Sequence, residues 1–567
     1  MTILIRCFVA AITVAITVAA VSETSWLAGS YALAALLPLA MLASSDRQGT
    51  KRFGTILANT ACFALPCSVL VDTTVFQWIG SHLWSPLVGR AATDLRTGLI
   101  PYASINVMRG VGVLVAKIAI YVSCAWALGR LGSRWTISAK PIAVCTGLAW
   151  ITVLSLHWTM PKPETAATTL KQVTTNTSQD FQSIVLRRDA DQRLMSVRSF
   201  DDLETTRENR PDILIVIAES FRHELITPEG TPNLWQLANE GIWCRSHYSG
   251  GNATNHGIFS VVSGLEAIWY SRPVRYSPPM NRLFHWAGYD IGFFAGHDDW
   301  RVFRMDGFIS EEHYDEFSVE PLDGLASDRR ATMLAIEYLR PREVTPRKPR
   351  LAILYLYATH ATFNSYPEDQ KFQPAADDRF TIPYPPSAAD EVWNRYRNAA
   401  VTTDRFIGAV LDEDAAQNRI VVFTGDHGES FLEDGTIGHG TKLSPQQNMT
   451  PAIIRIPGGR HRIIDSPTMH ADILPTLLAA AGIELSEQNR PLFDGIDLAS
   501  ANEGTLADRF FVTRNYFDDK VAIIHGRNPM QQGIEVSLDE FTVKGDNDHL
   551  QSWIDARFTP SQSRQPK

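Results

Sequence analysis

Cysteine is nearly missing from the later part of this chain. Of the six cysteines, Cys7, Cys62, Cys67, Cys124 and Cys145 fall before residue 160 and only Cys244 lies beyond it. A disulfide within that later part is thereby excluded, and its stability has to come from packing. An excess of basic residues is missing as well. The 52 Lys and Arg against 61 Asp and Glu leave a net charge of −9, which argues against nucleic acid as a partner. There is no internal repeat. Long apolar runs are absent after about residue 160 and dense before it, so the 567 residues read as a membrane segment joined to one large globular domain.

Apolar stretches lie near residues 5–21, 26–43, 54–73, 107–129 and 139–158. Each reaches or approaches the roughly twenty residues that cross a bilayer as a helix. Arg47, Lys51 and Arg52 cluster in one connection and Arg130, Arg134 and Lys140 in another, and such basic loops stay in the cytoplasm. Five spans then put the amino terminus inside and everything after about residue 160 outside. Ala19-Ala20-Val21-Ser22 has the small residues of a signal-peptide exit, but four further spans favour an uncleaved membrane domain. Residues 72–77 and 82–87 are too polar to cross and predict an interfacial helix at the outer leaflet. Lys117, inside the fourth stretch, is expected to snorkel.

Residues 161–210 read as a linker, with Pro161, Pro163, a Thr-rich tract and a solvated charged run from Arg187 to Arg193. Beyond Pro211, apolar β-branched runs at 213–218, 291–295, 351–357, 419–423 and 452–456 alternate with helical patterns near 232–240, 390–411 and 471–481. That rhythm predicts an α/β domain over 211–505, with a mostly parallel sheet covered by helices on both faces. Residues 506–567 predict a short antiparallel addition, at 510–513 and 520–524, and a frayed tail.

Chemistry gathers at the expected strand ends. Asp426-His427-Gly428-Glu429-Ser430 follows the run 420–423 and is itself followed by Gly438-His439-Gly440. A hard carboxylate oxygen beside an imidazole suits zinc or manganese, and a further histidine can hold a phosphoryl oxygen or a second metal. Glu219 stands at the tip of the run 213–218, where open α/β sheets place their ligands. Ser249-Gly250-Gly251-Asn252-Ala253-Thr254 is a small-residue loop leading into an apolar helix, and a hydroxyl at a helix start can meet both an anion and a metal. Thr254 is therefore the candidate nucleophile. His256 and the loop His297-Asp298-Asp299-Trp300 are candidates for lining the same pocket.

Together these residues resemble the alkaline phosphatase superfamily, in particular its membrane-anchored, sulfatase-like branch of phosphoethanolamine transferases, lipoteichoic acid synthases and YejM-type inner-membrane proteins. The resemblance implies one divalent metal ion, zinc or manganese before magnesium, held by Glu219, Thr254, Asp426 and His427, with Thr254 also the nucleophile. It puts His360, in Tyr357-Ala358-Thr359-His360-Ala361, and His439 on the substrate side. Asp472-Ile473-Leu474-Pro475-Thr476-Leu477 resembles a helix opening common to sulfatase-like proteins.

True sulfatases carry Cys or Ser in C/S-x-P-x-R, whereas here neither Pro nor Arg stands between Thr254 and Ser263-Gly264. Ser271-Arg272-Pro273-Val274-Arg275 fits the pattern out of register and reads as a decoy. A Thr cannot become formylglycine, so the resemblance implies transfer or hydrolysis at phosphate-containing head groups of envelope lipids or glycolipids. The implied place is the bacterial inner membrane, with the catalytic domain on its extracytoplasmic side. Phosphoethanolamine transferases staple this domain with disulfides that this chain lacks, which favours the YejM-type or lipoteichoic-acid-type grouping. Two alternatives stand beside the enzyme: a non-catalytic YejM-type lipid sensor, and a sulfuric ester hydrolase.

Overall fold

The computed structural model describes residues 2–19, 25–79, 82–83, 105–131, 139–159, 184–185, 203–206, 210–537 apart from short internal gaps, and 542–545. They form two compact units, one built on the amino-terminal helices and one on the carboxyl-terminal α/β domain.

The amino-terminal unit has apolar helices at Thr2–Ala19, Ser25–Ala43, Gln48–Ile79, Ile105–Leu131 and Ala139–Thr159, one for each expected stretch. Thr2–Ala19, Gln48–Trp78 and Asn106–Leu131 are long and apolar enough to cross a membrane; Ala28–Ala43 and Lys140–Ile151 are shorter apolar helices among the described residues. Cys7, Ala10, Leu36, Ala40, Cys62 and Ile142 form one packed seam. Small side chains let helix backbones approach, and a Cβ on Gly29 would lie 2.8 Å from that of Ala15. Met108, Val115, Ile120 and Trp126 of Ile105–Leu131 face outward, as lipid-facing residues do, and Lys117 is exposed on the same helix.

One expectation is corrected here. Residues 72–77 do not form a separate interfacial helix, because Gln48–Ile79 continues through them. Asp72 is the reason the chain tolerates this polarity: it accepts from the Leu83 amide at 2.8 Å and pairs with His82 Nδ1 at 2.9 Å. Residues 84–104 lie outside the described residues, as do the charged run from Arg187 to Arg193 and the carboxyl-terminal tail.

The second unit is organised by a nine-stranded sheet. Its order is Arg462–Ile464, Ile242–Tyr248, Met449–Arg455, Ile420–Gly425, Ile213–Ala218, Arg350–Leu356, Asp290–Ala295 and Glu316–Val319, with Thr468–Met469 also pairing along Ile242–Tyr248. Only Met449–Arg455 runs against its neighbours. All side chains of the central strands Ile213–Ala218 and Ile420–Gly425 are buried, so both faces of the sheet are covered, as their continuous apolar runs require. The register sets Ala218 opposite both Leu356 and Gly425, so these three strands end level. Their following loops therefore meet at one edge. A second, antiparallel sheet contains Phe510–Arg514 and Lys520–His525, extended by Asn528–Ser537, Thr542–Gly545 and Ile184–Val185. The expected addition is thus larger than its sequence suggested, and it draws in a piece of the linker.

Candidate functional site

Glu219 leaves the strand Ile213–Ala218 just where Ser220 adopts a positive φ of 54°, which turns the chain back over the sheet edge. Asp426 and His427 leave the adjacent strand Ile420–Gly425. Thr254 opens the helix Thr254–Ser263, with Ala253 at the cap position and no side-chain cap bond. Its hydroxyl is thus free of the capping role, and it points to the carboxylate: Oγ1 lies 3.2 and 3.3 Å from the two oxygens of Glu219 and 3.4 Å from His427 Nε2. The helix reaches this close because position 257 is glycine. A Cβ there would stand 2.0 Å from the Asp426 carbonyl oxygen.

The imidazoles are held by their other nitrogens. His427 Nδ1 donates to the Gly428 carbonyl at 2.8 Å, which leaves Nε2 as an acceptor 3.2 Å from Glu219 Oε1 and 3.7 Å from Asp426 Oδ2. His439 Nδ1 bonds Glu429 Oε2 at 2.7 Å. His360 Nδ1 donates to the Ala361 carbonyl at 2.7 Å, and its ring centroid is 6.0 Å from that of His439, which is itself 4.1 Å from that of His427.

Glu219, His427 and His439 each offer one donor atom within 4.8 Å of the others. One carboxylate and two imidazoles at that spacing fit a divalent metal ion. The electrostatics fit too. Burial, and then the Glu219 carboxylate, push Asp426 well above the usual carboxylate range; burial likewise pushes Glu219 up. Burial holds His427 down to about 4. Burial alone would lower His439, but Glu429 outweighs it and holds it up to about 9. Acidic groups thus crowd a buried site, an arrangement that a bound divalent cation would stabilise.

Asp426 is more occupied than the sequence suggested. Oδ1 accepts from the Ser220 and His427 amides at 2.8 and 2.7 Å, and Oδ2 accepts from the Tyr355 hydroxyl at 3.0 Å. Tyr355, Glu429 and Ser220 were not singled out by the sequence. Glu429 was legible in principle, next to a motif already noted, whereas Tyr355 sits inside an apolar strand and looked like core.

The other candidates divide. His256 is fully buried, packed between Tyr270 and Tyr516 at 5.7 and 6.0 Å, so it does not line an open pocket. His297 stacks on Tyr357 at 4.2 Å, and Tyr357 stacks on His360 at 4.4 Å. Trp300 is buried against Phe293 and Tyr355. Asp298, Asp299 and the decoy from Ser271 to Arg275 lie outside the described residues.

The described domain is thus a mostly parallel α/β sheet whose strand ends gather carboxylates, imidazoles and a helix-borne hydroxyl. Residues 211–483 match the family model described as Sulfatase. Among curated proteins, the chain is 39% identical over 83 residues to the uncharacterized sulfatase YidJ of Escherichia coli, covering 15% of this chain and 16% of that protein. It is 24% identical over 266 residues to an uncharacterized protein of Haemophilus influenzae, covering 41% of this chain and 42% of that one. The chain thus spans less than half the length of these relatives. Similar solved structures include the membrane protein lipooligosaccharide phosphoethanolamine transferase A from Neisseria meningitidis, at 13% identity and a TM-score of 0.46, covering 87% of this chain and 98% of that one. The periplasmic domain of EptC from Escherichia coli in complex with Zn has 16% identity and a TM-score of 0.44, covering 58% and 95%.

Proposed function

We propose that the chain is a membrane-anchored, metal-dependent phosphotransferase or phosphohydrolase, acting through Thr254 on phosphate-containing head groups of envelope lipids or glycolipids. The observation that carries this reading is the Thr254 hydroxyl within 3.4 Å of Glu219 and His427, at a helix start and free of capping duty. The metal would be held by Glu219, Asp426 and His427 with Thr254. When bound, the metal lowers the pKa of the hydroxyl and offsets charge on the phosphoryl group. Glu219 orients Oγ1 for attack on phosphorus. The Thr254 oxygen bonds phosphorus as the head-group oxygen departs, leaving a phospho-threonine. His360 and His439 face the phosphoryl oxygens, with His439 held in a charged form by Glu429. Water or a lipid or sugar hydroxyl then resolves the intermediate.

The chemistry of the nucleophile separates this from sulfate-ester hydrolysis, since no Cys or Ser occupies the slot. The site belongs outside the cytoplasm, because the basic connections near residues 47–52 and 130–140 keep the other side of five spans inside.

The test is turnover of a phosphodiester and of an aryl sulfate by the detergent-solubilised protein, with mass spectrometry of the peptide containing residue 254. Phosphodiester cleavage with phosphate trapped on Thr254 is expected, and Thr254→Ala should show neither. Sulfate-ester cleavage that survives Thr254→Ala would overturn the assignment. A Thr254→Ala protein that fully complements a deletion strain would replace the enzyme with a lipid sensor.

A further inference from the structure

Asp328 lies in the helix Leu325–Leu339, only 1% exposed, on a stretch that carries no ligand or nucleophile. Its carboxylate reaches across to the end of the neighbouring strand Arg350–Leu356. Both oxygens stand 2.9 Å from the Tyr357 amide, and Oδ2 accepts from the Ala358 amide at 2.7 Å. Burial pushes this carboxyl up to about 7, and the Tyr357 and Ala358 amides are the groups that oppose the shift.

What those amides lead into is the substrate-side histidine. After Ala358 the chain turns: Thr359 Oγ1 donates to the Glu219 carbonyl at 2.6 Å, the His360 amide bonds the Tyr357 carbonyl at 3.0 Å, and the Asn364 amide returns to the Ala358 carbonyl at 2.9 Å. The strand ladder is already used up at this point, since Glu219 N takes the Leu356 carbonyl. Asp328 therefore supplies the last fixed anchor before the turn. One side of the turn is tied to the metal-side residue Glu219, and the other to Asp328.

We propose that Asp328 is a positioning residue that holds the 357–360 turn, and through it His360, at the height of the reacting group. This rests on the role given to His360 above. The side chain matters by its acceptors: Asn presents a single oxygen and an NH2 group where two oxygens meet two amides, and the misfit displaces the turn.

The experiment is a double-mutant cycle on the full-length protein with a chromogenic phosphodiester, using Asp328→Asn, His360→Ala and both together, with metal content measured for each. Asp328→Asn should lower kcat about 10- to 100-fold, the loss expected of a small misplacement of a reacting group. Metal content should stay at the wild-type level. In the His360→Ala background the same change should alter kcat less than about twofold. Losses that multiply in the double variant, or a wild-type rate for Asp328→Asn, would overturn the proposal. Hydrogen exchange at 357–360 reads the anchor without turnover: it should quicken in Asp328→Asn and in Asp328→Ala, while 213–218 stays protected. Unchanged exchange overturns the anchor. A wild-type protein idle toward the phosphodiester, with the exchange result as expected, would instead place the failure in the proposed reaction.

Discussion

Thr254 shows why a residue's job depends on one helical position. Had it been the cap, its hydroxyl would accept from a backbone amide two or three residues on, and Thr→Ala would cost about 1 kcal/mol of stability. Ala253 takes that position, and Thr254 turns its oxygen to Glu219. Thr254→Ala is therefore expected to abolish turnover while shifting the unfolding free energy by less than about 1 kcal/mol, checked by denaturant titration beside the rate assay. Thr254→Ser, which keeps the oxygen and drops a methyl, should retain part of the rate. Tyr355 offers a second residue-scale test. Its hydroxyl is buried on Asp426 Oδ2. Tyr355→Phe should cost about 1–3 kcal/mol, because it leaves a carboxylate oxygen short of a donor. A wild-type unfolding curve for that variant would show the bond to be idle.

At the scale of elements, the site depends on how closely the helix Thr254–Ser263 approaches the strand end that carries Asp426. Gly257 sets that approach. In most helix interiors Gly→Ala stabilises by up to about 1 kcal/mol. Here a Cβ would meet a backbone oxygen, so Gly257→Ala should instead destabilise by about 1–3 kcal/mol and reduce bound metal, read by elemental analysis of the purified protein. Elements also show where periodicity loses its grip. The central strands announced themselves as unbroken apolar runs because both their faces are covered. Ile242–Tyr248 did not, since the exposed Arg245, the half-buried Ser246 and the buried His247 interrupt its apolar run. The helix Leu325–Leu339 was missed for a related reason: Asp328, Arg329 and Arg330 break its apolar stripe, and the buried one of the three acts on another strand's end.

For the whole molecule, buried histidines tie stability to pH. Burial holds His247 down to about 3 and His470 well below its ordinary range, so both are neutral in the folded protein and take up protons near 6.5 when unfolded. A depressed pKa contributes stability that is present above about 6.5 and lost as pH falls toward the folded value. The unfolding midpoint should therefore drop between pH 6.5 and pH 4, and His247→Gln should flatten that slope; a parallel slope in the variant would remove His247 as a cause. Topology is the other whole-molecule test. A reporter active only in the cytoplasm, fused near residue 540, should be silent, and strong signal would reverse the orientation and the substrate class together.

The sequence alone was enough for the apolar helices, the alternation that makes an α/β domain, and the candidates Glu219, Thr254, Asp426, His427, His360 and His439. All of these but His360 are written locally, as a run of one periodicity or a polar residue near its end, whereas His360 is a candidate only through the family resemblance. Tertiary structure decided what local pattern does not contain. It made three strands end level, which is a matter of register between segments far apart in the chain. It drew His439 beside Glu219 and His427, occupied Asp426 with Tyr355 and two amides, buried His256, and set Asp328 on another strand's end. Distances between side chains on different elements follow from packing, and packing is a property of the whole fold.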